Sequence, residues 1–157
     1  MNVTVELCDD SAANWVPDET TVASWVQTGL DSLAISSQLG LSLRYVDAGE
    51  SEQLNRHYRG KQTPTNVLSF PVDLPPSVCE QMSLKPLGDV VICPHIVEQE
   101  AQEQGKELRA HWAHMVLHGV LHLLDYDHAD QASAEQMEAL EIRALERLGF
   151  PNPYLIG

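Results

Sequence analysis

Apolar residues follow two spacings along the chain, and each spacing predicts a different kind of element. Alternation with polar residues, or short apolar runs rich in β-branched residues, predicts four strands, over about 3–7, 41–45, 66–72 and 88–93. Apolar residues three or four positions apart predict five helices, over about 17–37, 51–58, 94–105, 107–123 and 131–148. This order is typical of the α+β class. We therefore expect a small four-stranded mixed β-sheet packed with about five helices.

Several residues mark where the predicted elements begin and end. Pro94 is suited to the first turn of a helix, and Gly105 interrupts that helix. Asp130 can cap the last helix, which Gly149 can end. The segment 73–86 contains three prolines, and we expect it to form an exposed loop.

Composition limits the class of protein. The length of 157 residues, or 17.4 kDa, fits one domain, so we take 1–157 as a single catalytic domain. A formal net charge of −14 is the wrong sign for a protein that coats nucleic acid, so any RNA must be bound through a local basic patch. There is no long apolar run or secretory signal pattern, and we expect no membrane association. Three separated cysteines predict no disulfide partner and favour the cytoplasm.

Five of the seven histidines fall between positions 111 and 128. His118 and His122 are one helical turn apart on one face, so their imidazoles can chelate one metal ion. His128 follows six residues later, after a segment that can turn the chain back. A catalytic zinc takes three protein ligands and keeps one position open. The pattern therefore predicts a metal site made of these three histidines.

The ligand spacing matches that of the metzincin proteases, with two departures. Gly119 stands where those enzymes have the glutamate general base, and Asp125 stands where they have a glycine at the turn. The first change argues strongly against peptide hydrolysis. The second is mild, because aspartate tolerates the left-handed backbone conformation better than most residues.

Three further groups of residues are open to more than one interpretation. His111 and His114 lie along the same helix, where packing, orientation of a ligand or proton transfer are all open. The acidic residues of the last helix, Glu141 among them, are interpreted as a solvated face. Four basic residues lie ahead of the third strand: Arg44, Arg56, Arg59 and Lys61. This cluster could hold a phosphate, although such a cluster is commonly only solvated.

Three segments resemble the bacterial YbeY family of metal-dependent endoribonucleases. Residues 118–128, HGVLHLLDYDH, closely resemble the signature H-G-x-L-H-L-x-G-Y-D-H of that family. Residues 58–71, YRGKQTPTNVLSFP, and residues 87–93, LGDVVIC, resemble two other family markers. The resemblance spans most of the chain, and Asp125 departs from the family glycine.

The resemblance implies a function that composition does not show. It implies one Zn²⁺ per chain on His118, His122 and His128, and a functional Arg59 facing the metal cleft. The implied activity is cleavage of single-stranded RNA in small-subunit ribosomal RNA 3′-end maturation and ribosome quality control. The small ribosomal subunit is the implied partner.

The remaining site residues are hypotheses about how such an enzyme would work. Arg59 would stabilise charge on the phosphate, with Lys61 and Asn66 as further RNA-binding candidates. No general base is evident, which leaves His114, or a group of the substrate, as the candidate for proton transfer.

Two alternatives remain: a metzincin-like metallohydrolase of peptides, and a non-catalytic ribosome assembly factor with structural zinc. Three protein ligands rather than four favour an open, catalytic site over a structural one.

Overall fold

A computed structural model describes residues 1–127 and 129–155 of the chain, which form four strands and six helices. The strands are β1 (Val3–Asp9), β2 (Leu39–Tyr45), β3 (Val67–Pro71) and β4 (Lys85–Ile92). The helices are α1 (Glu19–Ser32), α2 (Ala48–Arg59), α3 (Pro76–Glu80), α4 (Pro94–Gln104), α5 (Leu108–Leu123) and α6 (Gln131–Arg147). The predicted α+β class is confirmed, with one more helix than the five expected.

The sheet is mixed, as predicted. Its strand order is β1-β2-β4-β3, and β2 pairs in parallel with both β1 and β4. Strand β3 runs antiparallel to β4, with Val67 opposite Ile92 and Pro71 opposite Gly88. Strand β3 therefore forms one edge of the sheet, and this edge becomes a wall of the site described below.

The predicted helix ends are largely confirmed. Asp130 caps α6 as predicted, because its carboxylate accepts a hydrogen bond from the N–H of Ser133 at 2.7 Å. Asp18 caps α1 in the same way, through the N–H of Thr21 at 2.8 Å. Gly105 ends α4 in the left-handed conformation, with φ of 65°.

Three regions differ from the predictions. The segment 73–86 is not only a loop, because Pro76 occupies the first turn of the short helix α3. Strand β4 also begins at Lys85, whose N–H donates to the carbonyl of Gln38 at 2.9 Å. Helix α1 ends at Ser32 rather than near residue 37, because Ala34 adopts a positive φ of 56°.

Helix α5 is the centre of the core. It packs against α1, α4, α6 and the strands β3 and β4. Trp112 is fully buried and makes an edge-to-face contact with buried Tyr45, at 4.9 Å between ring centroids. Because α5 is buried along nearly its whole length, the imidazoles on it are held by packing on several sides.

The sheet lies directly against α5 at Gly119. A Cβ atom placed on this glycine would lie 2.8 Å from Cγ1 of Val90 and 3.2 Å from Cγ2 of Val67. The Ser69 hydroxyl donates to the Gly119 carbonyl at 2.9 Å. A side chain at position 119 has no space unless the sheet moves away from the helix.

No helix in the described part of the chain is long and apolar enough to cross a membrane.

Candidate metal centre

The imidazoles of His118 and His122 converge near the C-terminal end of α5. Their Nε2 atoms lie 3.1 Å apart, and their ring centroids are 4.6 Å apart. The side chain of His118 is 22% exposed, so the pair is reached from solvent although the helix itself is buried. The structure thus brings together two of the three histidines that the spacing selected.

The arrangement of donor atoms fits a tetrahedral metal ion. Two imidazole nitrogens at the usual Zn–N distance of a tetrahedral site are about 3.3 Å apart, close to the separation seen here. The Nδ1 atom of His118 faces Oε1 of Glu141 at 3.4 Å. A neutral His118 therefore carries its proton on Nδ1 and directs its Nε2 lone pair towards His122.

The third predicted ligand, His128, lies outside the described residues. The segment that leads to it leaves α5 in a tight turn. Asp125 there has a positive φ of 71°, and its N–H donates to the carbonyl of His122 at 3.1 Å. The expectation that aspartate replaces a glycine in a left-handed turn is confirmed.

Glu141 on α6 is a site residue that sequence analysis missed. It is 1% exposed, and its carboxylate contacts the Nε2 atom of His114 and the Nδ1 atom of His118. The Tyr154 hydroxyl donates to the same carboxylate at 3.0 Å. The interpretation of Glu141 as part of a solvated face is wrong. Its position four residues after buried Met137, within the apolar stripe of α6, was the signal that could have identified it.

These contacts change the pKa values of the groups involved. Burial alone would raise the pKa of the Glu141 carboxyl, but hydrogen bonds from His114 and His118 outweigh burial and lower it to about 2. Burial lowers the pKa of His114, although Glu141 opposes that change. Burial and the adjacent Glu141 carboxylate raise the pKa of Tyr154. The result is an ionised carboxylate that holds several hydrogen-bond donors in the protein interior.

Two overlapping sets of side chains can therefore be considered for a metal. One ligand atom each from His114, His118 and Glu141 lie within 4.8 Å of one another, so this cluster could hold an ion. The second set is the pair of Nε2 atoms of His118 and His122. The ring of His118 belongs to both sets, with one nitrogen facing Glu141 and the other facing His122.

The His118–His122 pair opens into a cleft of about 530 Å³ between α5, the end of α2 and strand β3. Arg59, the last residue of α2, lines this cleft and is exposed. Asn66 and Ser69 line it from the side of β3. In residues 1–127 and 129–155, no carboxylate lies within ion-pair distance of Arg59. A guanidinium group and two imidazoles thus face one cavity.

Three other residues named in the sequence analysis, His114, Lys61 and Arg44, are not among the described residues that line this cleft. His114 is 6% exposed and contacts the carboxylate of Glu141, one helical turn before His118. Lys61 is exposed but is not among the described residues lining the cleft. Arg44 is not among the described residues lining the cleft, and its charge is paired with Asp10 at 2.6 Å and with Glu50 at 2.5 Å.

Asn66 is anchored by a chain of hydrogen bonds. Its amide nitrogen donates to both carboxylate oxygens of Glu100, at 3.1 and 3.3 Å, and its oxygen accepts from the N–H of Val67 at 2.6 Å. Glu100 in turn contacts Nε2 of His111 at 3.1 Å. His111 thus has a defined partner, and the orientation of the Asn66 amide is fixed.

The resemblance to metzincin proteases extends to the spacing of the histidine ligands but not to the general base, whose position is occupied here by Gly119. The position that carries the general base in those proteases faces β3 and β4 here, where a Cβ would already be too close to Val90. A glutamate side chain at position 119 would therefore meet the sheet instead of extending into the cleft.

The fold and the helix-borne imidazole pair define an α+β protein with a candidate metal centre. A solved structure shares the fold. The structure is similar to the solution structure of TM1509 from Thermotoga maritima, with a TM-score of 0.60 and 22% sequence identity. The similarity covers 92% of this chain and 89% of the other. At this identity the similarity supports the fold alone.

The sequence itself matches the family described as Endoribonuclease YbeY over residues 8–149. The chain belongs to this family. Membership supports an endoribonuclease role in ribosomal RNA processing.

Proposed function

We infer that the protein is a zinc-dependent endoribonuclease that cuts single-stranded RNA during 3′-end maturation of small-subunit ribosomal RNA and in ribosome quality control. The observation that carries this proposal is the convergence of two imidazole Nε2 atoms at a cleft that Arg59 also lines, in a chain of the YbeY family. The cysteine pattern makes the cytoplasm, where ribosomes assemble, the proposed location.

His118 and His122 would hold the zinc ion together with His128, which the family signature supplies as the third ligand. Bound zinc supplies Lewis acidity, which polarises a phosphoryl oxygen and makes water more acidic. His118 would be kept in the required tautomer by Glu141, since a carboxylate at Nδ1 leaves Nε2 available to a metal.

Arg59 would bind the scissile phosphate. A planar guanidinium group forms paired hydrogen bonds to phosphate oxygens and stabilises charge that develops on them. Because the whole chain has a net charge of −14, this local cation is needed to attract RNA to the cleft. Lys61, two residues beyond Arg59, would contact the RNA backbone outside the cleft, and Asn66 would contact it at the β3 wall.

His114 remains a candidate for proton transfer, although its contacts favour an indirect role. Its Nε2–H faces the carboxylate of Glu141, so it would hold that carboxylate in place while Glu141 orients His118.

The proposal is tested by incubating the protein with a 3′-extended small-subunit ribosomal RNA fragment, with a duplex of the same sequence and with an unstructured peptide. We expect cleavage of the single strand, loss of cleavage after chelation and recovery with added zinc. Cleavage of the peptide would replace the proposal with a metallopeptidase. Bound zinc without cleavage, where a control nuclease cuts the RNA, would favour an assembly factor with structural zinc.

Replacing Arg59 with alanine is expected to slow cleavage by about 10²- to 10³-fold, because one preorganised donor to the transition state is removed. Metal content should not change, since a guanidinium group stays protonated and has no lone pair to offer a metal ion. Arg56→Ala is the matched control, because Arg56 is exposed on the same helix but is not among the described lining residues of the cleft. Equal losses in both variants would indicate general electrostatic attraction, and loss of zinc in Arg59→Ala would indicate a structural role.

A further inference from the structure

An exposed aromatic side chain stands beside the candidate metal centre. Tyr58 is 60% exposed, more than any other tryptophan, tyrosine or phenylalanine that the structure describes, whereas Trp15 and Tyr154 are each 41% exposed. It immediately precedes Arg59 in the last turn of α2 and lines the same cleft as His118 and His122. What distinguishes this ring from other exposed apolar residues is its position beside the cleft, where it can contact a bound ligand.

The ring of Tyr58 is supported by two neighbouring rings. Phe70 on β3 contacts it edge to face, with centroids 4.7 Å apart and planes at 63°. His57 contacts it at 4.8 Å and 84°. Phe70 in turn packs against a small buried cluster of Val46, Leu68 and Val91. Tyr58 is thus anchored to the edge of the sheet, and neither neighbouring ring is stacked in parallel on it.

The chemistry of the cleft favours a nucleobase as the partner of this ring. Every base has a flat π-face, and stacking on an aromatic side chain is the common way in which proteins hold single-stranded nucleic acid without reading its sequence. Arg59 offers a phosphate-binding group one residue away, so ring and guanidinium match the alternation of base and phosphate along one strand. A cleft of about 530 Å³ has room for one nucleotide.

We propose that Tyr58, supported by Phe70, is a base-stacking platform that holds a nucleotide of single-stranded RNA next to the phosphate bound by Arg59. This inference rests on the proposed function and adds to it the residue that selects single strands. In a duplex both faces of each base are already covered by neighbouring bases, so only an unpaired nucleotide can stack on Tyr58. If Tyr58 is such a platform, the affinity for single-stranded RNA should depend only weakly on the identity of the stacked base.

The platform is tested by binding, independently of catalysis. The probe is a short single-stranded RNA with one 2-aminopurine, whose fluorescence is quenched on stacking, titrated with protein in the presence of a chelator. Tyr58→Ala is expected to weaken binding by about 5- to 150-fold and to remove the quenching, whereas Tyr58→Phe and Tyr58→Trp retain both. Tyr58→Leu, which keeps apolar bulk against Phe70 without an aromatic face, should behave like Tyr58→Ala. Trp15→Ala, which removes an exposed aromatic ring outside the described cleft lining, is the control for general loss of aromatic surface.

Each outcome has a separate meaning. If the wild-type protein binds and cleaves RNA but Tyr58→Leu binds and quenches equally well, the platform is wrong and the proposed function stands. If the wild-type protein neither binds nor cleaves single-stranded RNA, the proposed function fails and the platform fails with it. Thermal unfolding of each variant separates misfolding from loss of stacking, and Tyr58→Leu decides the question if Tyr58→Ala does not fold.

Discussion

Replacing His122 with alanine is expected to remove both the bound metal and RNA cleavage. Its Nε2 atom is one of the two that converge at 3.1 Å, so the variant keeps His118 but loses the chelating pair. A site of three protein ligands that loses one holds zinc weakly, and the metal content should fall from about one ion per chain to near zero. Metal analysis and cleavage of the single-stranded RNA substrate should be measured on the same preparation.

The control for this variant is His95→Ala. His95 is exposed on α4 and is not among the described residues lining the cleft, so its removal tests for a general effect of losing an imidazole. Full metal content in His122→Ala, together with loss of metal in His114→Ala, would move the ion to the overlapping cluster of His114, His118 and Glu141. Cleavage that persists without metal would overturn zinc dependence altogether.

Replacing Glu141 with alanine is expected to affect both stability and metal affinity. The carboxylate accepts hydrogen bonds from Tyr154 and contacts ring nitrogens of His114 and His118 in a position that is 1% exposed. Its removal leaves buried donors without an acceptor, which should lower the free energy of unfolding by about 1–3 kcal/mol. Zinc affinity should fall by about 10- to 100-fold, because His118 loses the group that fixes its tautomer.

Glu141→Gln separates the two effects, since it keeps the volume and one acceptor oxygen but removes the negative charge. We expect most of the stability to be retained and the zinc affinity to lie between those of wild type and Glu141→Ala. The matched control is Glu146→Ala, an exposed glutamate on the same helix. Chemical denaturation measures the free energy of unfolding, and competitive metal titration measures the zinc affinity. An unchanged zinc affinity in Glu141→Ala would mean that the carboxylate supports packing alone.

Much of the site could be predicted because its parts lie close together in sequence. The one-turn spacing of His118 and His122 places both imidazoles on one face of any helix, and the structure confirms their convergence. The capping roles of Asp130 and Gly105 are equally local and were also predicted correctly. Arg59 was selected by resemblance to a family motif, and the structure places it at the same cleft as the imidazole pair.

The features that were missed depend on contacts between distant parts of the chain. Glu141 lies 23 residues after His118, and its acidic side chain hid the fact that its position belongs to the buried stripe of α6. Arg44 was grouped with Arg59 by sequence distance, yet its charge is paired with Asp10, 34 residues away. Spacing along the sequence predicts which residues lie on one face of the same helix or strand. It does not predict which other helix or strand packs against that face.

The contact between β3 and Gly119 has a consequence for how substrate enters the cleft. Ser69 is hydrogen-bonded to the helix backbone one residue after His118, and a Cβ at position 119 would come within 3.2 Å of the Val67 side chain. The separation between α5 and the β3 wall is therefore set by direct van der Waals contact and does not depend on a mobile lid. Such a cleft is preorganised: its width is fixed during folding, so RNA has to adapt to the protein, and an unpaired strand can adapt far more readily than a stiff duplex.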